Sequence, residues 1–135
     1  MALSKSLRNC AMIVEKYVTL PATTGTTVGP SVPANCVVLS AGVEVLTAVP
    51  TITTYTVAAS DGTTTFLAAT SVSGAAINTI KGGVTPGFIS AADTVDAVTV
   101  ISGSPGTIPV RIWALVADVN DSVYASAEAE RDFLA

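Results

Sequence analysis

The stretch that most constrains this chain is the run from Ile108 to Val119, with the sequence IPVRIWALVADV. Side chains of a strand alternate between two faces. One face of this run carries Ile108, Val110, Ile112, Ala114 and Val116. The other carries Arg111, Trp113, Leu115 and Ala117, and it is apolar apart from Arg111. An ordinary half-buried strand has one polar face. The pattern therefore predicts a strand covered twice, by its own core and by a second layer, which in so short a chain indicates another subunit.

The rest of the chain is predicted to be antiparallel β-structure. Val and Thr are abundant, and both favour pleated sheet. Together with weaker segments, the strand patterns number about seven to nine, at the spacing typical of sandwiches and barrels. The clearest patterns cover residues 10–20, 34–49, 51–59, 63–70 and 94–101. The chain shows no alternation of strand and helix patterns, so a parallel sheet is not expected. We therefore expect an all-β fold, an antiparallel β-sandwich or jelly-roll-like body with short N- and C-terminal arms.

Two turn motifs predict how neighbouring strands connect. Asp61-Gly62 lies between apolar alternations and predicts a β-hairpin with a type I′ turn, which needs positive φ at both central residues. Ser104-Pro105-Gly106-Thr107 has Pro and Gly where a type II turn requires them. This second turn predicts that residues 94–101 and 108–119 form an antiparallel hairpin.

Glycines also mark two irregular positions. Gly42 interrupts the long strand pattern of residues 34–49, and it predicts a bulge or a bend there. Gly82-Gly83 lacks the flanking residues and the strand-to-helix context of a phosphate-binding loop. We interpret this pair as a turn.

The chain divides into an N-terminal arm (residues 1–9), a sandwich domain (residues 10–119) and a C-terminal arm or short helix (residues 120–135). The arms lie outside the sandwich pattern but contain apolar residues, namely Leu3, Leu7, Tyr124, Phe133 and Leu134. We expect at least one arm to pack against a neighbouring subunit; the alternative is that both fold back on their own domain. With Arg111, Trp113 and Leu115, these five residues make up the predicted interface.

The residue inventory argues against catalysis. The chain has no His, which excludes Ser-His-Asp and Cys-His arrangements. Its two cysteines, Cys10 and Cys36, are too few for a disulfide framework. We interpret them as thiols, at least one of them packed as a small hydrophobe, and their bonding to each other stays open.

The acidic residues do not form an obvious site either. Asp93 and Asp96 are spaced so that a strand would place them on opposite faces. Asp118, Asn120 and Asp121 lack the loop pattern of a calcium site, and a polar turn with a helix cap explains them more simply. No catalytic, cofactor-binding or metal-ligating residue is therefore predicted, and the chain is not expected to be an enzyme.

Charge and hydropathy exclude two classes of partner. The net charge is −4 and no basic cluster occurs, which argues against nucleic-acid binding. No apolar segment is long enough to span a bilayer, so no membrane partner is expected. Charged residues make up 12% of the chain, about half the usual share. The surface is therefore either neutral, Thr-rich and wet, or packed on neighbours in a large assembly.

The order of these patterns resembles small β-sandwich structural proteins of tailed bacteriophages, of the head decoration or cement type. The resemblance covers residues 34–121. It lies in a strand pattern at Ala34–Ala48, YTVAASDGTTTFLAATSV at Tyr55–Val72, AADTVDAVTV at Ala91–Val100, and GTIPVRIWALVADVND at Gly106–Asp121. It is a pattern of strands and turns, and it transfers no catalytic residue and no cofactor.

The resemblance implies a non-enzymatic virion protein, most specifically a capsid decoration or cement protein that binds the outer shell and stabilises capsomer contacts. Its expected partners are the major capsid protein and copies of itself, as a homotrimer or at local threefold positions. Its expected location is the capsid surface, after synthesis in the host cytoplasm. The alternative is a fibre or tail-associated module that recognises host-surface glycans, which would need exposed aromatic and polar side chains in a cleft.

Overall fold

A computed structural model describes residues 11–118 of the chain. These residues contain no helix, and every strand pairing among them is antiparallel. The strands in chain order are β1 (Met12–Leu20), β2 (Gly25–Thr27), β3 (Ser31–Val32), β4 (Cys36–Val45), β5 (Thr54–Ser60), β6 (Thr65–Ser71), β7 (Ile80–Gly83), β8 (Gly87–Ile89), β9 (Asp93–Thr94), β10 (Asp96–Ser102) and β11 (Ile108–Asp118). The predicted all-β, antiparallel fold class is confirmed.

The strands form two main sheets that share one core. Sheet A has the order β1-β11-β4, and β7 and β8 pair with opposite halves of β4 on its far side. Sheet B has the order β2-β10-β5-β6. A two-residue ladder between β3 and β9 stands apart from both sheets. The predicted organising strand, β11, lies in the interior of sheet A between β1 and β4.

The connections wind these strands into a jelly roll. If β7 and β8 are counted as one row, sheets A and B have four rows each. Early strands pair with late ones: β1 with β11, β2 with β10, β4 with β7 and β8, and β5 with β6. This nesting of hairpin-like pairs across two sheets is the arrangement of eight-stranded jelly rolls.

The core consists mainly of small branched side chains, as the abundance of Val suggests. The largest fully buried side chains are Tyr55 and Phe66, and most of the others are Val. From β11, the core receives Ile108, Val110, Ile112, Ala114 and Val116, each at most 4% exposed. The prediction that this face of the strand packs on its own core is confirmed. Cys36 is also buried, so at least one cysteine packs as a small hydrophobe, while Cys10 lies outside the described residues.

The predicted hairpin between β10 and β11 is wrong. β10 pairs with β2 and β5 in sheet B, whereas β11 pairs with β1 and β4 in sheet A. Gly106 does have the positive φ (75°) that the predicted turn requires. The turn is local, however, and it lets the chain cross between sheets so that both strands bury one face in the same core.

The hairpin between β5 and β6 is confirmed, but its turn differs from the predicted type. Only Gly62 has a positive φ (92°), and Asp61 does not. Instead, Asp61 Oδ1 accepts hydrogen bonds from the backbone N–H groups of Thr63 (2.8 Å) and Thr64 (2.6 Å). The carboxylate therefore organises a longer loop, as Asp side chains often do in turns.

Candidate interaction surface

The outward face of sheet A brings together the three described residues of the predicted interface. Arg111, Trp113 and Leu115 lie on this face of β11, opposite the buried set, and all three are half-buried. Directly opposite residues of antiparallel neighbours share a face. The same face therefore carries Ile13, Glu15 and Tyr17 of β1, and Glu44, Gly42 and Ser40 of β4. A second layer on this face, formed by another subunit, stays a prediction.

The remaining predicted interface residues are Leu3, Leu7, Tyr124, Phe133 and Leu134. They lie outside the described residues, as do Asn120 and Asp121 of the polar cluster after β11.

The indole of Trp113 lies over two glycines, Gly42 of the neighbouring strand β4 and Gly82 of β7, one strand further across the sheet. A Cβ built on Gly42 of β4 would stand 2.8 Å from the indole Cζ2, and one on Gly82 of β7 would stand 3.1 Å from the same atom. A side chain added at Gly42 would have no room beneath the ring, whereas a methyl group at Gly82 would require the indole to shift by a few tenths of an ångström. The two glycines leave a shallow depression on strands β4 and β7, and the indole ring fills it. Aromatic side chains commonly cover strand glycines in this way and supply the packing that glycine lacks.

Both glycine predictions are corrected by this arrangement. The bulge in β4 falls at Leu39, which is left between the Ser40–Leu115 and Val38–Val116 pairs, and not at Gly42. Gly82-Gly83 belongs to strand β7 and is not a turn. Close approach of other groups explains these glycines. A Cβ at Gly83 would stand 2.0 Å from the Phe66 carbonyl oxygen.

Arg111 joins three strands through two carboxylates. Its Nη1 donates to Glu15 Oε2 of β1 at 2.8 Å, and its Nε donates to Glu44 Oε1 of β4 at 3.1 Å. Burial alone would lower the pKa of the guanidinium, but the hydrogen bonds and the attraction of the two carboxylates raise this pKa above its ordinary value. Among the described residues of this face, the positive charge of Arg111 is therefore paired within the sheet with two negative charges.

Large exposed apolar side chains border this centre. Ile13 is 62% and Tyr17 is 65% exposed on β1, and Ile80 of β7 is 55% and Phe88 of β8 is 56% exposed. Their partners in the register place all four on the outward face. None of these four residues belongs to the interface predicted from the sequence. The alternation pattern of residues 12–20 could have predicted that Ile13 and Tyr17 share a face. The short strands β7 and β8 were not recognisable from the sequence, so Ile80 and Phe88 could not be predicted.

Asp93 and Asp96, the two acidic residues near the start of β10, have hydrogen-bond partners within the sandwich. Asp96 Oδ1 accepts hydrogen bonds from the Gly29 N–H (3.2 Å) and the Thr94 hydroxyl (2.7 Å). Asp93 Oδ1 accepts one from the Thr94 N–H at 2.8 Å. Within residues 11–118, no group of three or more His, Cys, Asp and Glu side chains could hold a metal ion. The same residues include no helix long and apolar enough to cross a membrane.

Two clefts open at the surface. One, of about 290 Å³, is mainly apolar and lies where β1 and β4 begin and β11 ends; its lining includes Met12, Val14 and Val116. The other, of about 190 Å³, is polar and lies beside the β5–β6 hairpin. Its lining includes Asp61 and Phe88.

Comparison with known proteins gives matches in structure alone. No protein-family model matches the chain, and no curated protein matches it. A chain of the cyanophage Pam1 capsid asymmetric unit superposes with a TM-score of 0.62 at 13% sequence identity, over 80% of this chain and 84% of that chain. A chain of the acidic stable capsid structure of Helicobacter pylori bacteriophage KHP30 superposes with a TM-score of 0.52 at 15% identity, over 84% of this chain and 95% of that chain. At these identities the likeness is one of fold.

Proposed function

We propose that this protein is a non-enzymatic structural protein of a bacteriophage virion, specifically a capsid decoration or cement protein. It binds the outer shell and stabilises contacts between capsomers. The observation that carries the proposal is the outward face of sheet A, which is apolar around a compensated ionic centre and extends across every row of the sheet. The two structures of similar fold come from phage capsids, and this supports the same assignment.

The outward face has the composition of a protein interface. Exposed apolar side chains scattered singly are ordinary, but a contiguous patch marks an interaction site. Here Ile13 lies opposite Leu115, Tyr17 lies opposite Arg111, and Ile80 lies opposite Glu44 along the ladders of one sheet. Aromatic and Arg side chains are the residue types that most often anchor interfaces. This face therefore suits a flat, extended contact better than a pocket for a small substrate.

The jelly-roll topology supports the same function. Viral capsid domains are among the proteins that use this arrangement of two four-row sheets. The proposed partners are the major capsid protein and copies of this chain, as a homotrimer or at local threefold positions on the capsid surface. In this proposal Trp113 and Leu115 anchor the contact, and no cofactor takes part.

A reconstitution experiment tests the proposal. The purified full-length protein is added to phage shells that lack it, and co-sedimentation measures the number of copies bound per capsid protein. We expect saturation at a fixed stoichiometric ratio, and electron cryo-microscopy should show copies distributed over the whole shell. The double variant Trp113→Ala/Leu115→Ala should bind at least tenfold more weakly, because anchors dominate interface energies.

A matched control uses an apolar side chain of the other sheet. Val100 is 48% exposed on β10 of sheet B, so Val100→Ala should bind like the unaltered protein. Density confined to a fibre or tail, or binding that does not saturate at a fixed ratio, would contradict the cement function.

A second function, recognition of host-surface glycans by a fibre or tail module, is favoured by the polar cleft. Its lining includes the acidic residues Asp61 and Asp93, the hydroxyl-bearing residues Thr63 and Ser90, and the aromatic residue Phe88. Such a combination can bind a sugar by stacking and hydrogen bonding. Saturation-transfer NMR with host-surface oligosaccharides tests this function. Transfer that disappears in Phe88→Ala would support it, whereas absence of transfer would leave the cement function as the better account.

A further inference from the structure

We propose that the apolar cleft at the end of the sandwich receives Phe133 and Leu134 from a second copy of this chain. The inference deepens the proposed function and rests on it for one point, that copies stand side by side on a shell. It assigns a ligand to the cleft and a purpose to the C-terminal arm.

The cleft has the size and the lining of a site for apolar side chains. Ser31 supplies its one hydroxyl, and the other lining residues are Met12, Val14, Pro33, Ala34, Cys36 and Val116. Its volume of about 290 Å³ is roughly twice that of an engineered apolar cavity, of about 150 Å³, that binds benzene. A phenyl ring and one aliphatic side chain therefore fit together. Met12, at the rim, is 59% exposed in the single chain.

The position of the cleft links it to the arms. Met12 and Cys36 are the first residues of β1 and β4, and Val116 lies two residues before the end of β11. Met12 and Val116 are paired across the ladder. Residues 1–10 and 119–135 consequently connect to the sandwich at the edge of this cleft.

Reach selects the C-terminal segment as the ligand. Leu7 is five residues from Met12, a distance of at most about 17 Å in extended chain, which is short of the roughly 34 Å diameter of a 100-residue domain. Phe133 is fifteen residues beyond Asp118, and an extended chain of that length spans about 50 Å. Residues 125–134 are rich in Ala and Glu, which favour a helix. With a helix over these residues, the span would still be roughly 35 Å. The C-terminal segment therefore reaches further from its own domain than the N-terminal arm does, and it carries both of its apolar residues that far.

The segment also favours a neighbour over its own cleft. A helix over residues 125–134 would be stiff, and it would hold Phe133 away from the strand end at which the segment starts. Exchange of an identical segment between copies is a low-cost route to oligomers. On a shell, the fixed spacing of the copies raises the effective concentration of each segment at the next cleft.

Two complementary full-length variants test the proposal. Phe133→Ala/Leu134→Ala keeps the cleft and loses the ligand, and Ala34→Phe fills the cleft and keeps the ligand. Sedimentation velocity over a concentration series measures self-association. We expect each variant alone to raise the dissociation constant at least tenfold. We expect an equimolar mixture to associate again, because one intact segment then meets one intact cleft.

Control variants make the same changes elsewhere. Val84→Ala shortens a side chain that is 88% exposed, and Ala68→Phe enlarges an exposed residue of β6 in sheet B. Both should associate like the unaltered protein. Circular dichroism checks that every variant retains its β-structure, so that loss of association is not loss of fold.

The remaining outcomes overturn the proposal. A chain that stays monomeric at its highest soluble concentration has no such contact. A mixture that fails to associate shows that the segment binds its own cleft, or none. The shell-binding assay separates the two proposals: saturable binding to shells without segment-dependent association refutes only this inference. Segment-dependent association without shell binding refutes only the cement function.

Discussion

Two glycines beneath Trp113 should differ sharply in their tolerance of a methyl group. A Cβ at Gly82 would meet the indole Cζ2 at 3.1 Å and Cη2 at 3.3 Å. The ring is half-buried on the outward face, so it can move by the few tenths of an ångström required. The cost of this crowding, about 1 kcal/mol, is offset by the lower entropy of the unfolded chain when Ala replaces Gly. We expect Gly82→Ala to change the free energy of unfolding by less than about 1 kcal/mol.

In Gly42→Ala, the added methyl group clashes with backbone atoms and not only with the indole. Its Cβ would stand 2.1 Å from the Lys81 carbonyl oxygen and 2.9 Å from the Gly82 Cα, both on the paired strand β7. Relief requires β4 and β7 to separate, which breaks ladder hydrogen bonds. We expect a loss of about 3 kcal/mol or more in the free energy of unfolding, at the upper end of overpacking costs. For a domain of this size that corresponds to a fall in Tm of roughly 10 °C.

A double-mutant cycle with Trp113→Ala identifies which neighbouring group clashes with the methyl group added at each glycine. Removing the indole should abolish the cost of Gly82→Ala and leave most of the cost of Gly42→Ala, because the Lys81 carbonyl remains. Urea unfolding followed by far-ultraviolet circular dichroism measures all four free energies without using tryptophan fluorescence. Equal costs at the two glycines, or complete relief of Gly42→Ala by Trp113→Ala, would refute the described packing.

Four further predictions follow from the same structure. Trp113→Ala should weaken oligomerisation more than Thr→Ala changes at residues 63–65, as measured by analytical ultracentrifugation; an indole that fluoresces as fully hydrated in the assembled protein would contradict this. Arg111→Gln should cost about 1–2 kcal/mol in urea unfolding, since two carboxylates lose their shared cation and repel each other; an unchanged midpoint would show that the ion pairs contribute nothing. Burial raises the pKa of Tyr55, so folding stability should be complete below the ordinary Tyr value of about 10 and fall as the pH rises above it. Tyr55→Phe should remove that alkaline loss and leave neutral-pH stability within about 1 kcal/mol, because the buried hydroxyl has no hydrogen-bond partner within residues 11–118. Deletion of residues 126–135 should leave Tm nearly unchanged and reduce attachment to the particle; a lower Tm with intact attachment would mean that the arm folds on its own domain.

The fold class, most of the long strands and the inward face of β11 could be predicted from the sequence alone. These features depend on local periodicity and on the preference of Val and Thr for pleated sheet. Both are properties of residues that are close together in the chain. The β5–β6 hairpin was predictable for the same reason. Its two strands are adjacent in the chain, and only the loop geometry around Asp61 differed from the expected type.

Tertiary structure decided the features that depend on residues far apart in the chain. The turn before β11 was recognisable from Pro105 and Gly106, but a turn cannot show whether the strands it joins pair or cross to opposite sheets. From the sequence, Gly42 was interpreted as a bulge or bend and Gly82 as part of a turn. A glycine occurs equally well in a bulge, in a turn or at a close contact between strands, so the sequence does not distinguish these cases. Only the packing of Trp113 across three strands shows that the indole ring lies over both glycines. The outward patch arises in the same way, since Ile13, Ile80 and Phe88 come from separate strands and share a face only when sheet A is assembled.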